Sequence, residues 1–446
     1  MSNAELETFA IEVVKTLKSA GFEAVFAGGC VRDRLMGIPP KDFDVATNAL
    51  PDDVRRLFPR TVPVGEAFNV ILVLSSHEEN PFHVEVATFR KDVGIADGRH
   101  PAQVLSATAE EDVQRRDFTV NGMLYDPLED KLLDWVGGQK DLKAKILRSI
   151  GEPHLRIDED HLRMLRAIRF SSRFGFQIDP SLMTAIQSKA SLIRKISAER
   201  IYEELTKILT GARADLAMDD LASSGLLEQL IPEALAMKGC EQPPEHHPEG
   251  DVWVHTLLLL KQCAGKSPEV GWAALLHDIA KPPTFSHTPG DRIRFNGHAE
   301  LGAEMSVQIL KRFKASNDLI ECVHELVRDH LKFKDAPQMR PSTLKRWLRS
   351  PHFEKHLELH YIDCMACHQN LTLYEFCKSA LANMPPDILR PPKLVDGNDL
   401  ISMGFRPGPQ FKEILDAVET EQLEQRLFER MAAIEFVKAK YGSLNR

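Results

Sequence analysis

No stretch of about 18 consecutive apolar residues, the length a helix needs to cross a bilayer, occurs anywhere in this chain. Its first 20 residues also lack the basic, apolar and small-residue succession of a secretory signal, so a cytoplasmic protein without membrane association is expected. Cysteine is sparse and odd in number. Cys30, Cys240, Cys263, Cys322, Cys364, Cys367 and Cys377 are scattered through 446 residues, which suits reduced thiols better than a disulfide framework. Basic residues are not in excess either. The net charge of −9 argues against a uniformly basic nucleic-acid binder but leaves room for local basic patches, because charge near the contact surface decides association. What is present is an ordinary globular composition: an apolar fraction of 43% can build a core, and the length predicts two to four domains.

The most informative stretch is Gly28-Gly29-Cys30-Val31-Arg32-Asp33, followed by Lys41-Asp42-Phe43-Asp44. The apolar run Ala24 to Ala27 predicts a strand, Gly28 and Gly29 allow close approach of backbone to an anion, and Val31 to Met36 predicts a helix start. In an extended segment Asp42 and Asp44 share one face while Phe43 points the other way, toward a core. A Gly-Gly pair alone signals a tight turn, and Asp-x-Asp alone a solvated loop or cap. In succession they describe a phosphate cradle beside two acids, an arrangement suited to Mg²⁺ clamped between carboxylates and nucleotide phosphates.

Leu6, Phe9, Ala10, Val13, Val14 and Leu17 at helical spacing predict a helix over 4–20. Strands are expected at 23–27, 42–46, 69–75 and 82–89. Glu85 lies amid apolar residues in the last of these and is expected as a third acid of the metal site, the alternative being a solvated edge position. Residues 90–112 are polar and Gly-rich and predict a mobile loop. In Arg115-Arg116-Asp117-Phe118-Thr119-Val120-Asn121-Gly122-Met123, Arg116, Asp117 and Asn121 are expected on one side of a helix turn anchored by Phe118 and Met123. Arg for phosphate and Asp or Asn for ribose hydroxyls is a sensible nucleotide set.

These segments resemble, motif by motif, the class II tRNA nucleotidyltransferases, or CCA-adding enzymes, of the polymerase-β-like superfamily. The resemblance implies Asp42 and Asp44 as Mg²⁺-binding carboxylates, with Glu85 at the third-acid position and Gly28, Gly29 and Arg32 in the phosphate cradle. It places Arg116, Asp117 and Asn121 near the sugar and phosphates of the incoming nucleotide. Leu133 to Leu142 resembles a hinge, Asp158 to Arg166 the base-reading segment with Asp160 and Arg163 as readers, and Ala198 to Ile201 a looser fifth motif. Gly122 stands where the family usually has alanine. Read without the family, Asp160 and Arg163 are three apart on a helix and can face one planar ligand, Arg166 lies beside them, and Arg163, Arg166, Arg169 and Arg173 form a basic stripe. A surface helix laced by i,i+3 ion pairs is the plainer alternative.

Helical periodicity dominates from 180 to 235, and Pro243, Pro244 and Pro248 mark a linker. Beyond it His255, His277-Asp278, His298, His330 and Asp363 follow one another on separate predicted helices, with His246, His247 and His324 as competing candidates. Their order resembles the HD-superfamily metal phosphohydrolases, which implies a transition-metal site in a helical bundle. Cys364 and Cys367 form a lone Cys-x-x-Cys without a second pair, a weak zinc signal.

The expected fold is therefore α+β: a nucleotidyltransferase head with a small mixed sheet over 1–150, then all-helical segments. These are a neck and body over 151–240, an HD domain over 241–370, and a tail over 371–446 that contacts tRNA with help from the basic run Lys345 to Arg349. The expected activity is template-independent addition of CCA from CTP and ATP to the 3′ end of tRNA, with an additional metal-dependent phosphohydrolase. A poly(A) polymerase is the near alternative, disfavoured because Gly65-Glu66-Ala67-Phe68-Asn69 lacks the Gly-Arg-Arg-Phe type of segment such enzymes carry. An enzyme adding only CC is disfavoured by the presence of the 90–112 segment. A phosphohydrolase using the head as an RNA-binding module is the alternative of another class.

Overall fold

A computed structural model describes residues 3–64, 70–75, 82–95, 101–243, 248–288 and 292–442. The chain divides into two compact units, Met1–Pro232 and Glu233–Arg446. The expected head and the expected neck and body as far as Pro232 lie in the first unit, while residues 233–240 of that body join the HD segment and tail in the second.

The first unit opens with α1 (Asn3–Ser19), whose Ala10, Val13, Val14 and Leu17 face a core built on a sheet. Among the described residues the strands β1 (Ala24–Ala27), β2 (Asp44–Thr47), β3 (Thr61–Val64), β4 (Val70–Leu74), β5 (His83–Thr88), β6 (Arg90–Ile95), β7 (Pro101–Ser106), β8 (Leu124–Asp126) and β9 (Lys131–Leu133) follow in chain order, and a short parallel pair, Ile146–Leu147 with Gln177–Ile178, comes after them. Seven of them form one mixed sheet in the order β3-β4-β5-β2-β1-β8-β9, in which only β2 and β5 run parallel. Its apolar residues alternate into the core, where Phe26 and Phe43 rings lie 5.2 Å apart. Register places Asp44 between Ala27 of β1 and Glu85 of β5. That pairing brings the glycine turn after β1 against the acids of β2.

Four local expectations change. β2 starts at Asp44 rather than at 42, so Asp42 precedes the strand, although Phe43 is still buried and the two acids still share a side. Within the 90–112 segment β6 and β7 pair antiparallel, Lys91 opposite Leu105 and Val93 opposite Gln103, and α2 (Ala109–Gln114) follows, so backbone pairing between the two arms replaces the expected loop. Arg116, Asp117 and Asn121 do not share a helix turn. α2 ends before Arg115, Phe118 bridges Ser149, and a 3₁₀ turn spans Thr119–Asn121, since backbone bonds from Thr119 N to Arg148 O and from Ile150 N to Asp117 O draw the chain out. Nor are Asp160 and Arg163 on one helix. The helix Pro153–Glu159 stops at Asp160, whose φ of −148° and ψ of 105° are extended, and the next helix begins at Arg163 and runs to Phe174.

The second unit is helical apart from a two-stranded ribbon, Phe285–Ser286 with Arg294–Phe295. Its sequence runs through helices Val252–Leu260, Pro268–Leu276, His298–Arg312, Asn317–Asp329 and Phe353–Ala366, then into the tail helices Pro409–Leu423 and Arg430–Tyr441. The basic run Lys345 to Arg349 is turned inward. Arg346 and Arg349 both pair with Glu419, and Lys345 donates to Leu423 O at 2.6 Å, so these charges tie the helix Pro341–Leu348 to the tail. Opposite charges brought together by folding outweigh the solvated arrangement the sequence suggests.

Candidate nucleotide site and candidate metal centre

In the first unit a cavity of about 780 Å³ is lined by Gly28, Gly29, Arg32, Asp42, Asp44, Arg116, Asp117, Asn121, Asp160, Arg163 and Arg166, with Lys41, Arg115, Arg169 and Arg173 among its other walls. Of the expected nucleotide-site residues only Glu85 is outside the lining. It is exposed on β5, directly beside Asp44 in the parallel register. Burial, then Glu85 and Asp42, push the Asp44 carboxyl up to about 7. Like charges on both sides of a buried carboxyl fit a position that a divalent cation would neutralise, although Asp42, Asp44 and Glu85 form no close three-donor group among the described residues.

Gly28 has φ +70°, and a Cβ built there would sit 3.2 Å from Arg116 Nη1 and 3.8 Å from Asp44 Oδ2. A side chain at this position would be strained and would crowd the space between the acids and the arginine. Arg116 is held in place by Asp112, a residue that sequence reasoning missed. Asp112 is 1% exposed and accepts from Arg115 Nη2 at 2.7 Å and Arg116 Nη2 at 2.9 Å. Its i,i+3 and i,i+4 spacing to the two arginines was the available signal.

Asp117 accepts from Arg166 Nε at 3.0 Å and Nη2 at 2.6 Å, from Asn121 Nδ2 at 3.1 Å and from Phe118 N at 2.8 Å. Burial would raise its carboxyl, but the Arg166 charge and these donors hold it down at about 2. Arg32 is buried to 3% exposure, with Nε 2.8 Å and Nη2 2.6 Å from Asp33 Oδ1 and Nη1 2.5 Å from Asn121 Oδ1. Its guanidinium is thus committed to the cavity wall, while its edge still faces the lining.

The basic stripe is confirmed in position, yet its partners come from other elements rather than from its own helix. Arg166 pairs with Asp117, Arg169 with Glu204 at 2.6 Å, and Arg173 lies 3.9 Å from Asp33. Asp160 accepts from Arg200 Nη2 at 2.9 Å, so the loosely matched fifth motif supports the fourth, and Arg163 donates to Glu159 and to the Arg156 carbonyl, both at 2.8 Å. Gly122, the departure from the family alanine, is explained by packing: a Cβ there would approach Ile150 Cδ1 to 2.7 Å and Val136 Cγ2 to 2.9 Å. The Gly65–Asn69 segment, like His246 and His247, lies outside the described residues.

In the second unit the histidine and aspartate series converges. Asp278 is common to two ligand groups, one with His255 and His277 and one with His298 and His330, each with its donor atoms within 4.8 Å of one another. His277 Nε2 lies 3.2 Å from Asp278 Oδ2, and His298 Nε2 and His330 Nε2 lie 3.6 and 3.8 Å from Asp278 Oδ1. Asp363 Oδ1 lies 3.1 Å from His255 Nε2. The four Nε2 atoms point inward because each Nδ1 is held outward: on Ala274 O for His277, Phe295 O for His298, Val327 O for His330, and on Glu249 for His255. Asp278 Oδ1 and His298 Nε2 are buried without a hydrogen-bond partner, a donor set that fits a metal ion.

Burial lowers the imidazole of His330 to about 4, and that of His298 below its usual value, which keeps both neutral and able to ligate. Against burial, Asp363 and Glu249 hold the His255 imidazole up at about 9. Burial favours protonation of Asp278, but His277 and Lys281 keep it ionised, well below the carboxylate range. Lys281, whose Nζ is 2.7 Å from Asp278 Oδ2, and Glu249 are the neighbours that sequence reasoning missed. The cluster opens into a cavity of about 810 Å³ also walled by Arg292, Arg294, Arg328, Lys332 and Lys334. His324 does not join either ligand group. Among the described residues the cysteines form no such group, and Cys364 Sγ lies 3.5 Å from His360 Nε2.

Comparison with known proteins agrees with this division. Residues 24–148 match a model described as the poly A polymerase head domain, 175–237 one described as "Probable RNA and SrmB- binding site of polymerase A", and 252–361 the HD domain. The CCA-adding enzyme of Bacillus subtilis is 42% identical over 222 residues, 50% of this chain and 55% of that protein, so the match spans about half of its length. The CCA-adding enzyme of Streptococcus mutans is 30% identical over 438 residues, 96% of each chain. The crystal structure of the Bacillus stearothermophilus CCA-adding enzyme in complex with CTP superimposes with a TM-score of 0.72 at 26% identity, covering 97% of this chain and 98% of that one. A Thermotoga maritima CCA-adding enzyme complexed with tRNA shares the fold, with a TM-score of 0.55 at 19% identity over 97% and 94% of the chains. With a relative of this identity matched over nearly its whole length, and with head and HD models matching where the two sites lie, the chain belongs to the CCA-adding enzyme and poly(A) polymerase family and carries an HD domain.

Proposed function

We propose that the first unit adds cytidylate and adenylate from CTP and ATP to the 3′ end of tRNA without a nucleic-acid template. The observation that carries this reading is the single cavity in which Asp42 and Asp44, the Gly28 turn, Arg116 and the Asp117–Arg166 pair face Asp160 and Arg163. Mg²⁺ held by Asp42 and Asp44, with Glu85 beside them, would neutralise the carboxylates and triphosphate and lower the barrier to attack by the tRNA 3′-hydroxyl. The chain's own groups supply position and charge. Arg116, braced by Asp112, meets the phosphates; Asp117 and Asn121 face the sugar. Asp160 and Arg163 offer an acceptor and donors to the Watson–Crick edge of C or A, so a side-chain surface takes the part of a template. Relatives named as CCA-adding enzymes, together with a 26% identical structure solved with CTP, support this reading.

The test is extension of tRNAs ending before CCA, after C and after CC, with each NTP separately and a poly(A) acceptor as control. Ordered addition of C, C and A to tRNA alone is expected, and Asp42→Ala or Asp44→Ala should abolish it without unfolding the chain. Extension of poly(A) with ATP at a comparable rate would assign a poly(A) polymerase instead.

A second activity has its own observation, the buried Asp278 shared by two histidine groups beneath a basic-walled cavity. Metal ions held by His255, His277, Asp278, His298, His330 and Asp363 would activate water against a phosphoester, and the basic wall would attract the anionic substrate. Ni²⁺- or Mn²⁺-stimulated hydrolysis of 2′,3′-cyclic nucleotides or terminal phosphates is the assay.

A further inference from the structure

We propose that Glu249 is a positioning residue that makes the His255 side of the helical metal centre the tighter of two metal positions. This inference rests on the reading of that cluster as a metal centre. Its starting point is an asymmetry. Three of the four inward-facing histidines, His277, His298 and His330, hold Nδ1 on the carbonyl of the residue three places earlier, at 2.6 to 3.1 Å. His255 alone is backed by a carboxylate: its Nδ1 lies 2.7 Å from Glu249 Oε1, and the Glu249 side chain is only 7% exposed. Glu249 belongs to the segment ahead of the helix Val252–Leu260, not to a bundle helix. It also reaches the Cys367 thiol.

A carboxylate on Nδ1 fixes the tautomer that offers Nε2 to a metal and raises the basicity of that nitrogen more than a neutral carbonyl does. The same side of the cluster has Asp363, 3.1 Å from His255 Nε2. The His255–His277–Asp278 group is therefore surrounded by Asp363 and Glu249 in addition to the shared Asp278. The Asp278–His298–His330 group has only the shared carboxylate among its ligands and neutral carbonyls behind its histidines. A divalent cation gains more from the first environment, and the part of that gain owed to Glu249 reaches the metal solely through His255.

The experiment titrates the full chain with Mn²⁺ after chelator treatment, with free Mn²⁺ read by electron paramagnetic resonance. All variants carry Asp42→Ala and Asp44→Ala so that the head contributes no binding. The parent is expected to bind in two unequal steps. Glu249→Leu should weaken the first step roughly 10- to 100-fold and move the second by less than about threefold. Glu249→Gln, which keeps an acceptor near Nδ1 without the charge, should fall between. His298→Ala should do the opposite, removing the second step and sparing the first. Two equal steps in the parent, or parent-like binding by Glu249→Leu, would overturn the role of Glu249 alone. Equal loss of both steps in Glu249→Gln and Glu249→Leu would mean that the residue holds the fold rather than one ligand, and would also overturn it. Absence of Mn²⁺ binding by the parent would remove the metal-centre reading and this inference together.

Discussion

Replacing Asp117 by Asn tests whether the nucleotide cavity is held open by a buried ion pair. The carboxylate has one oxygen on Arg166, at 3.0 and 2.6 Å, and the other on Phe118 N and Asn121 Nδ2. An amide can keep the second set, but then turns its NH₂ toward the guanidinium, donor against donor. The Asp117 carboxyl is held at about 2 against an ordinary value of 3.8, and a difference of nearly two pKa values corresponds to about 2 kcal/mol of stability at neutral pH. Because the folded value is depressed, that contribution is complete above the unfolded value and is lost as pH falls through about 4 toward 2. Amide hydrogen exchange over 112–174, which reports opening of this region by itself, should show Asp117→Asn less protected by about 2 kcal/mol at pH 7. The gap between parent and variant should shrink to about half by pH 3. A difference below about 0.5 kcal/mol at pH 7, or one that does not change between pH 6 and pH 3, would refute the ion-pair account.

Gly122→Ala should destabilise the first unit by about 1–3 kcal/mol in urea unfolding, because the new methyl group meets Ile150 and Val136 inside 3 Å; an unchanged midpoint would mean that this packing yields freely. Asp160→Ala or Arg163→Ala should relax the choice of CTP and ATP over UTP and GTP more than it weakens triphosphate binding, measured as kcat/KM for each NTP. Arg200→Ala should give a milder version of the same relaxation, since Arg200 only steadies Asp160. Combined His277→Ala and Asp278→Ala should abolish metal-stimulated phosphoester hydrolysis while nucleotide addition stays within a few-fold. Loss of both activities in proportion to thermal stability would make these residues core histidines.

Much of the first unit was legible because its motifs are local. The alternation Asp42-Phe43-Asp44 dictates which side chains face the core, and Phe43 has no alternative to burial. The helix of residues 3–19 and the strands around Val25, Val73 and Val86 follow from period alone. The hairpin at 90–106 was not legible, since its polar composition carries weak strand propensity and only pairing between its arms settles it. Helical spacing misled at Asp117 and Asp160, where long-range backbone and side-chain bonds to 148–150 and to Arg200 override the local preference.

By itself the sequence determined the acids, arginines and histidines that line the two candidate sites, and the order in which the chain presents them. Tertiary structure alone decided what each faces. Glu85 meets Asp44 through the parallel register of β2 and β5, Asp112 takes hold of Arg115 and Arg116, and Arg346 and Arg349 turn to Glu419 instead of outward. At the candidate metal centre, helices distant in sequence bring four Nε2 atoms around Asp278, and a glutamate from an irregular segment stands behind one of them. Charge and hydrogen-bonding capacity belong to a residue wherever it lies, whereas the direction of a side chain and the identity of its partner exist only once distant segments have closed around it.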